Sequence, residues 1–514
     1  MTSYVVAVDV GTASARAGVF DAAGDMLGRA EHELAMDSGE YDSEQIWRAV
    51  CHCVRTAMMA CGAMPESIAG ISFDATCSLV LRGRDGAPLP MREADGHRFD
   101  TIAWFDHRAA AEAEECTAMG HEVLDFVGGV MSPEMEVPKL MWLKRHRPDL
   151  WDALGAAYDL CDFLTWRASG ANDRSVCALA CKWTYLGHTD TPWRQDFFDA
   201  VGLSDMRERT ALPDRATDVG ATIGTLTAQA AEELGLTQAC QVVCGLIDAH
   251  AGAIGTIGAM PKDRFDSHLA LIAGTSTCVM ALAPEARRIQ GVWGPYRDAV
   301  LPGLWLNEGG QSATGALLDY VLESRGRPVD DHARLTTLAE DALRKDPDFA
   351  ARLHVVPDHH GNRSPLADPD ALGVVSGLTL DTSDTALAAL YYKTALGIAY
   401  GVRHIVEAMN AAGYRIETLH VAGGHTKNLL LMRLYADATQ CNVVAAGAQD
   451  GVLLGTAIVA AGGCGMHPDV FAAAKAMVPQ GETARFDAST AQKHQRGFRR
   501  FRLMQDHRRA LDSP

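Results

Sequence analysis

Val5–Phe20 reads VVAVDVGTASARAGVF, and Leu269–Leu282 reads LALIAGTSTCVMAL. Each is an apolar run, a turn of glycine, threonine and serine, and a second apolar run. The pattern predicts two strand–turn–strand hairpins roughly half a chain apart, and hence two related halves that present small-residue turns to one cleft. Glycine lets a backbone come close to a ligand, and neighbouring N–H and hydroxyl groups bind phosphate oxygens. Taken singly, either stretch is an ordinary hairpin. Their repetition and their polar company carry the reading.

Working outward from the first hairpin, strands are expected over Tyr4–Val10, Ala15–Phe20 and Met26–Leu34, with Asp21-Ala-Ala-Gly24 as a turn. Asp42 is placed to cap a helix whose apolar face is Ile46, Trp47, Val50, Val54, Met58 and Cys61. A strand over Ile68–Phe73 returns to Asp74-Ala75-Thr76. Around the second hairpin, Val242–Ile247 reads as a strand ending in Asp248-Ala249-His250. Further on come a long helix near Asp384–Ala412, a strand over Thr418–Ala422 and a Gly423-Gly424 turn into a helix. The basic tail, with Arg496, Arg499, Arg500, Arg502, Arg508 and Arg509, reads as a solvated helix.

The chain has 514 residues, enough for two substantial domains, with 48% hydrophobic and 22% charged residues. A net charge of −19 disfavours a nucleic-acid surface. No apolar stretch reads as a membrane span or a leader, so a soluble cytoplasmic protein is expected. The 13 cysteines lie in apolar or helical segments without a Cys-x-x-Cys pair, which favours reduced, buried thiols.

Asp9, beside Gly11, Thr12 and Ser14, is a carboxylate next to a phosphate-sized turn. Such a pairing makes sense with Mg²⁺ between acid and phosphate, or with a turn aspartate bonding nearby N–H groups. Gly274, Thr275 and Ser276 form a second phosphate candidate, followed by Thr277. Gly423-Gly424 and the helix beyond it, with Asn428, suit a nucleotide diphosphate, although Gly-Gly alone is a tight turn. Neither a P-loop nor a dinucleotide fingerprint occurs. Asp248 at a strand end is a candidate general base or a helix cap; His250 is a second base, a metal ligand or a packed histidine. Clusters at Asp74–Thr76, Trp104–Arg108, Lys182-Trp183 and Asn307–Gln311 combine charges and aromatics as polyol sites do, or form buried structural networks. Together these features point to an ATP-dependent phosphotransferase.

At these residues the chain resembles the FGGY carbohydrate kinases. The ordered matches are Asp9-x-Gly-Thr, Lys139-Leu-Met-Trp142-Leu, Asp248, Gly274-Thr-Ser, Gly373-x-Val-x-Gly377-Leu and Gly423-Gly424. Longer strings resemble the D-ribulokinase-type pentulose kinases: Phe73–Leu79, Trp104–Arg108, Gly128–Met131, Cys181–Tyr185, Gly291–Tyr296, Asn307–Ser312 and His360–Pro365. The resemblance implies an α/β fold of two ribonuclease-H-like (actin-like ATPase) domains flanking a cleft. Residues 1–253 would be mainly sugar-binding, 254–472 mainly nucleotide-binding, and 473–514 a helical tail. It implies Asp248 as base, Asp9 beside Mg²⁺, and Thr12, Thr275, Gly315, Asp319, Gly424 and Asn428 on the ATP side. Thr76, Lys182 and Glu308 would face the pentulose, with Asp106 nearby. A homodimer is a further family-based expectation. The expected reaction is phosphorylation of D-ribulose, with L-ribulose, D-xylulose, ribitol or erythritol as alternatives, and a non-catalytic actin-like nucleotide switch as the rival from another class.

Overall fold

The computed structural model describes residues 3–512. Strands β1 (Tyr4–Val10), β2 (Ser14–Phe20) and β3 (Met26–Glu33) form an antiparallel meander. Helix α1 (Ser43–Cys61) follows; the Asp42 side chain accepts the Glu44 and Gln45 N–H groups at its start, and Gly62 in the left-handed region ends it. Strand β4 (Ile68–Ala75) returns parallel to β1. Helix α2 (Val176–Lys182) lies in the long insertion that separates β4 from β5 (Gln241–Val243). Strand β5 and the short Leu246–Ile247 run both pair parallel to β4, so the expected single strand over 242–247 is split in two. Helix α3 (Asp248–Ile257) starts at once.

The second half repeats this plan. Strands β6 (His268–Ala273), β7 (Thr277–Ala283) and β8 (Trp305–Gln311) make the antiparallel meander. After α4 (Gly315–Glu323) and α5 (Asp384–Ala411), β9 (Thr418–Ala422) runs parallel to β6. Helix α6 (Leu429–Thr439) leads to β10 (Asn442–Ala445), parallel to β9, and then to α7 (Gly451–Gly463). The sequence-level repeat is thus the opening of two equivalent seven-stranded sheets.

Apolar side chains alternate along each central strand and feed three cores. Val6, Val8 and Val10 face α1 with Trp47, Val50 and Val54. Leu269, Leu271 and Val279 face α5 with Tyr391, Ile398 and Val402. Val5, Ala7, Ala270 and Met280 share the central core with Ala251, Ile254, Leu454 and Ile458 from α3 and α7. These two helices cross between the sheets, and each packs on the sheet of the other half: α3 on β6 and β9, α7 on β1 and β4. They touch backbone to backbone, since a Cβ on Gly455 would lie 1.8 Å from the Ala251 carbonyl oxygen and one on Gly255 1.9 Å from that of Gly451. The expected boundary after residue 253 therefore falls inside α3.

Two expectations change. The segment after 472 is not purely helical, since Glu482–Ala484 adds an edge strand to the second sheet, and its basic helix is not simply solvated. Helix α8 (Ala491–Asp512) buries His494, Phe498, Phe501 and Gln505, with Phe498 and Phe501 against Tyr400. Its basic residues occupy the remaining faces, an amphipathic pattern hidden by the arginine count. All 13 cysteines are free, and 10 are buried, as expected. Among the described residues, no helix is long and apolar enough to cross a membrane.

Candidate active site

The first hairpin turn is closed by the Gly11 N–H donating to the Ser14 carbonyl at 3.0 Å. Thr12 braces it against the insertion: its Oγ1 accepts from Trp104 Nε1 at 3.0 Å and its carbonyl from the Tyr41 hydroxyl at 2.9 Å. Asp9, near the end of β1, stands opposite Asp74 on β4, and both are sealed from solvent. Arg16 Nη2 lies 2.5 Å from Asp9 Oδ2, while Arg16 Nη1 lies 3.3 Å from Asp450 Oδ2. Burial pushes the Asp9 carboxyl up to about 7; Arg16 opposes this, and Asp248 and Asp450 add to it. Asp74 is raised by burial and by Asp9, and accepts the Thr456 hydroxyl proton. It stands beside Asp9 on this buried acidic floor.

The second turn is held from two sides. The Gly274 and Thr275 carbonyls accept N–H groups from Gly315 and Thr314 at 3.0 and 2.9 Å, and His425 Nε2 lies 3.0 Å from the Gly274 oxygen. Gly423, at φ +91°, must be glycine, because a Cβ there would lie 2.4 Å from the Ala273 oxygen. By contrast, a Cβ on Gly274 or Gly424 would meet nothing within 4 Å, so both backbones face open space. Thr275 is exposed and Ser276 half-buried beside them. Asp319 Oδ1 contacts His332 at 2.8 Å, His332 contacts the Tyr391 hydroxyl at 2.9 Å, and Asn428 Nδ2 donates to that hydroxyl at 3.0 Å. Asn428 also caps α6 through the Leu431 N–H. The structure thus gathers Gly274, Thr275, Ser276, Gly315, Asp319, Gly424 and Asn428 around one rim.

Across the cleft, Lys182 ends α2 and is buried, its Nζ 4.7 Å from the Trp293 ring centre. Burial works against its charge, but Cys77, Glu308 and Glu134 more than offset this, so the ammonium is retained. The Arg363 guanidinium lies 5.7 and 5.6 Å from the ring centres of Trp104 and Trp293, and 3.3 Å from Glu134 Oε1. Burial disfavours the Glu134 charge, yet Arg363, His107 and Lys182 bring it down to about 2. Glu308 on β8 is buried, with Oε2 3.0 Å from His250 Nε2, and its pKa is lowered because His250, Lys182 and Arg363 outweigh burial. Thr76 is buried beside them, sharing a hydrogen bond with Ser78. Asp106 differs: both oxygens accept from Arg108, at 2.9 and 2.8 Å, which makes it a structural ion pair. The result is a cluster of paired charges beside two indole rings, chemistry suited to hydroxyl groups and C–H faces.

Asp248 sits between these two sides at the first residue of α3. Its Oδ1 accepts the adjacent Ala249 N–H at 2.7 Å. Burial raises its pKa, tempered by that hydrogen bond and by His250 and Arg16, and augmented by Glu308. A carboxylate raised in this way is a stronger proton acceptor.

Asp9 Oδ2 is paired with Arg16, whereas Asp9 Oδ1 and Asp74 Oδ1 have no hydrogen-bond partner. No cluster of three or more metal-ligating side chains is present among the described residues. The unmatched carboxylate oxygens fit Mg²⁺, which one or two carboxylates hold jointly with phosphate oxygens and water. Sequence reasoning missed Arg16, Asp450, Glu134, Trp293 and Arg363. Trp293 and Arg363 lie inside strings already singled out, Gly291–Tyr296 and His360–Pro365, whereas nothing local ties Asp450 to Arg16.

Family models place this architecture. The N-terminal domain of the FGGY family of carbohydrate kinases matches residues 4–255, and the C-terminal domain matches residues 269–464. The chain belongs to the FGGY family of carbohydrate kinases. This FGGY kinase is 42% identical to an FGGY carbohydrate kinase domain-containing protein of Xenopus laevis, over 93% of its own length and 92% of the relative's. It is 37% identical to a D-ribulokinase of Saccharomyces cerevisiae, over 86% of its own length and 69% of the relative's. Its fold matches the xylulose kinase of Rhodospirillum rubrum with a TM-score of 0.82, at 21% identity and 99% coverage of both chains. The actin-like ATPase fold that the resemblance implied is therefore the fold of this FGGY kinase.

Proposed function

We propose that this kinase transfers the γ-phosphoryl group of ATP to D-ribulose, giving D-ribulose 5-phosphate and ADP. The observation that carries the reading is the position of Asp248, within electrostatic reach of Arg16 on the phosphate side and of His250 and Glu308 on the sugar side. The similarity to a D-ribulokinase supports the choice of sugar.

Lys182, Glu308 and Thr76 bind the sugar hydroxyls while Trp104 and Trp293 cover its C–H face. Asp248 accepts the proton of the 5-hydroxyl as its oxygen attacks the γ-phosphorus in line and ADP departs. The turns at Gly11–Thr12 and Gly274–Ser276 orient the phosphates, and Gly315, Asp319, Gly424 and Asn428 line the nucleotide. Asp9 would hold Mg²⁺, which supplies charge neutralisation to the phosphate oxygens.

Asp248→Asn keeps the size of the side chain and an acceptor for the Ala249 N–H, so it is expected to fold and bind nucleotide while kcat falls about 100- to 10,000-fold. Near-native turnover in the folded variant defeats the base assignment. ADP release and product analysis on D-ribulose, L-ribulose, D-xylulose, ribitol and erythritol test the substrate. Efficient turnover of another polyol with D-ribulose inert replaces the sugar. ATP binding without product on any of them favours the switch.

A further inference from the structure

His250 has no part in the transfer above, yet it is wholly buried and bonded on both ring nitrogens. Its Nε2 lies 3.0 Å from Glu308 Oε2, and its Nδ1 lies 3.1 Å from Cys177 Sγ. The Cys177 sulfur in turn accepts the Ile247 N–H at 3.4 Å. A neutral imidazole has one donor and one acceptor. The carboxylate can only be met by Nε2–H, and Nδ1 meets the Cys177 sulfur, accepting its S–H in the neutral ring and donating to it in the imidazolium. Three elements meet at this ring: α2, whose last residue is Lys182; α3, whose first residue is Asp248; and β8, which carries Glu308.

We propose that His250 is a positioning residue that locks Glu308 for sugar binding and sets its spacing from Asp248 and Lys182. A glutamate with three free torsions loses entropy when it binds a hydroxyl; one already fixed through Oε2 has lost that entropy on folding and presents Oε1 ready oriented. Asp248 and His250 share the first turn of α3, so the same helix places the base and the clamp on the second carboxylate. The dependence is asymmetric: sugar affinity requires the clamp, whereas the nucleotide rim at Gly274, Gly315 and Gly424 does not touch it. This inference rests on the assignment of the Lys182–Glu308 pocket to the sugar.

The test measures KM for sugar and for ATP in the full-length chain. H250L fills the ring's space without a donor and is expected to raise sugar KM about ten- to a hundredfold, with ATP KM changed less than about twofold. H250N, whose shorter amide falls short of Glu308, behaves like H250L and serves if the leucine variant does not fold. H250Q, whose amide nitrogen reaches the position of Nε2, restores sugar KM to within about threefold of the native value. The double variant H250N/E308Q is no worse than E308Q alone, because both remove one interaction. An unchanged sugar KM in H250L or H250N overturns the proposal, as does an additive double variant. So does a joint rise in both KM values without rescue by H250Q, the mark of a merely structural histidine. A native enzyme inert on every polyol defeats the functional reading instead, before any variant is compared.

Discussion

Asp162 shows how strongly the interior acts on a single carboxylate. It is buried on the helix after Asp159, with Oδ1 accepting the Ser175 N–H at 2.8 Å and Oδ2 unmatched. Burial pushes it up to about 7 from an ordinary 3.8, although Arg174 pulls the other way. The folded chain therefore keeps a proton there that the unfolded chain releases near pH 4. The corresponding stability is complete below about pH 4 and is lost as pH rises through about 7. Asp162→Asn stays neutral and keeps the acceptor for Ser175. Relative to the native chain it is expected to gain up to ~4 kcal/mol between about pH 4 and about pH 8. Urea unfolding of both proteins across that range measures the gain, and a difference that does not vary with pH contradicts it. At this scale the sequence is easiest to read where chemistry is local: Asp9, Asp248 and Lys182 sit at or near strand or helix ends beside their motifs, whereas Glu308 lies in the middle of β8. Asp74 and Asp106 are harder to read, because a carboxylate in a polar string looks the same whether it faces a ligand, Thr456 or Arg108.

At the scale of elements, both Gly-Thr hairpins and the long helix over Asp384–Ala411 follow directly from apolar periodicity and turn chemistry. The crossing of α3 and α7 does not. Its glycines read as small residues in apolar helices, and only the fold reveals that Gly455 lies against the Ala251 carbonyl. Backbone on backbone leaves no flexible atom to move aside. Gly455→Ala is therefore expected to lower stability by about 1–3 kcal/mol, seen as an earlier denaturation midpoint. An unchanged midpoint would mean that the helices separate without penalty. The indole and guanidinium wall of Trp104, Trp293 and Arg363 was equally hidden, because its members are brought together from segments far apart in the chain.

At the scale of the molecule, the two Gly-Thr turns belong to different sheets, and the proposed sugar site draws Lys182 from one half and Glu308 and Arg363 from the other. A ligand that touches both halves favours their approach. Small-angle scattering is expected to give a smaller radius of gyration with a pentulose and a non-hydrolysable ATP analogue together than with either alone. Equal radii in all states would argue that the cleft is already closed in the free protein.

The exchange of α3 and α7 has one more consequence. Each sheet is roofed by a helix that the other half of the chain supplies, so the halves repeat as sequences but not as separable bodies. Cutting the chain between β5 and α3 would strip the second sheet of its cover, and cutting it after β10 would bare Val5 and Ala7 on the first.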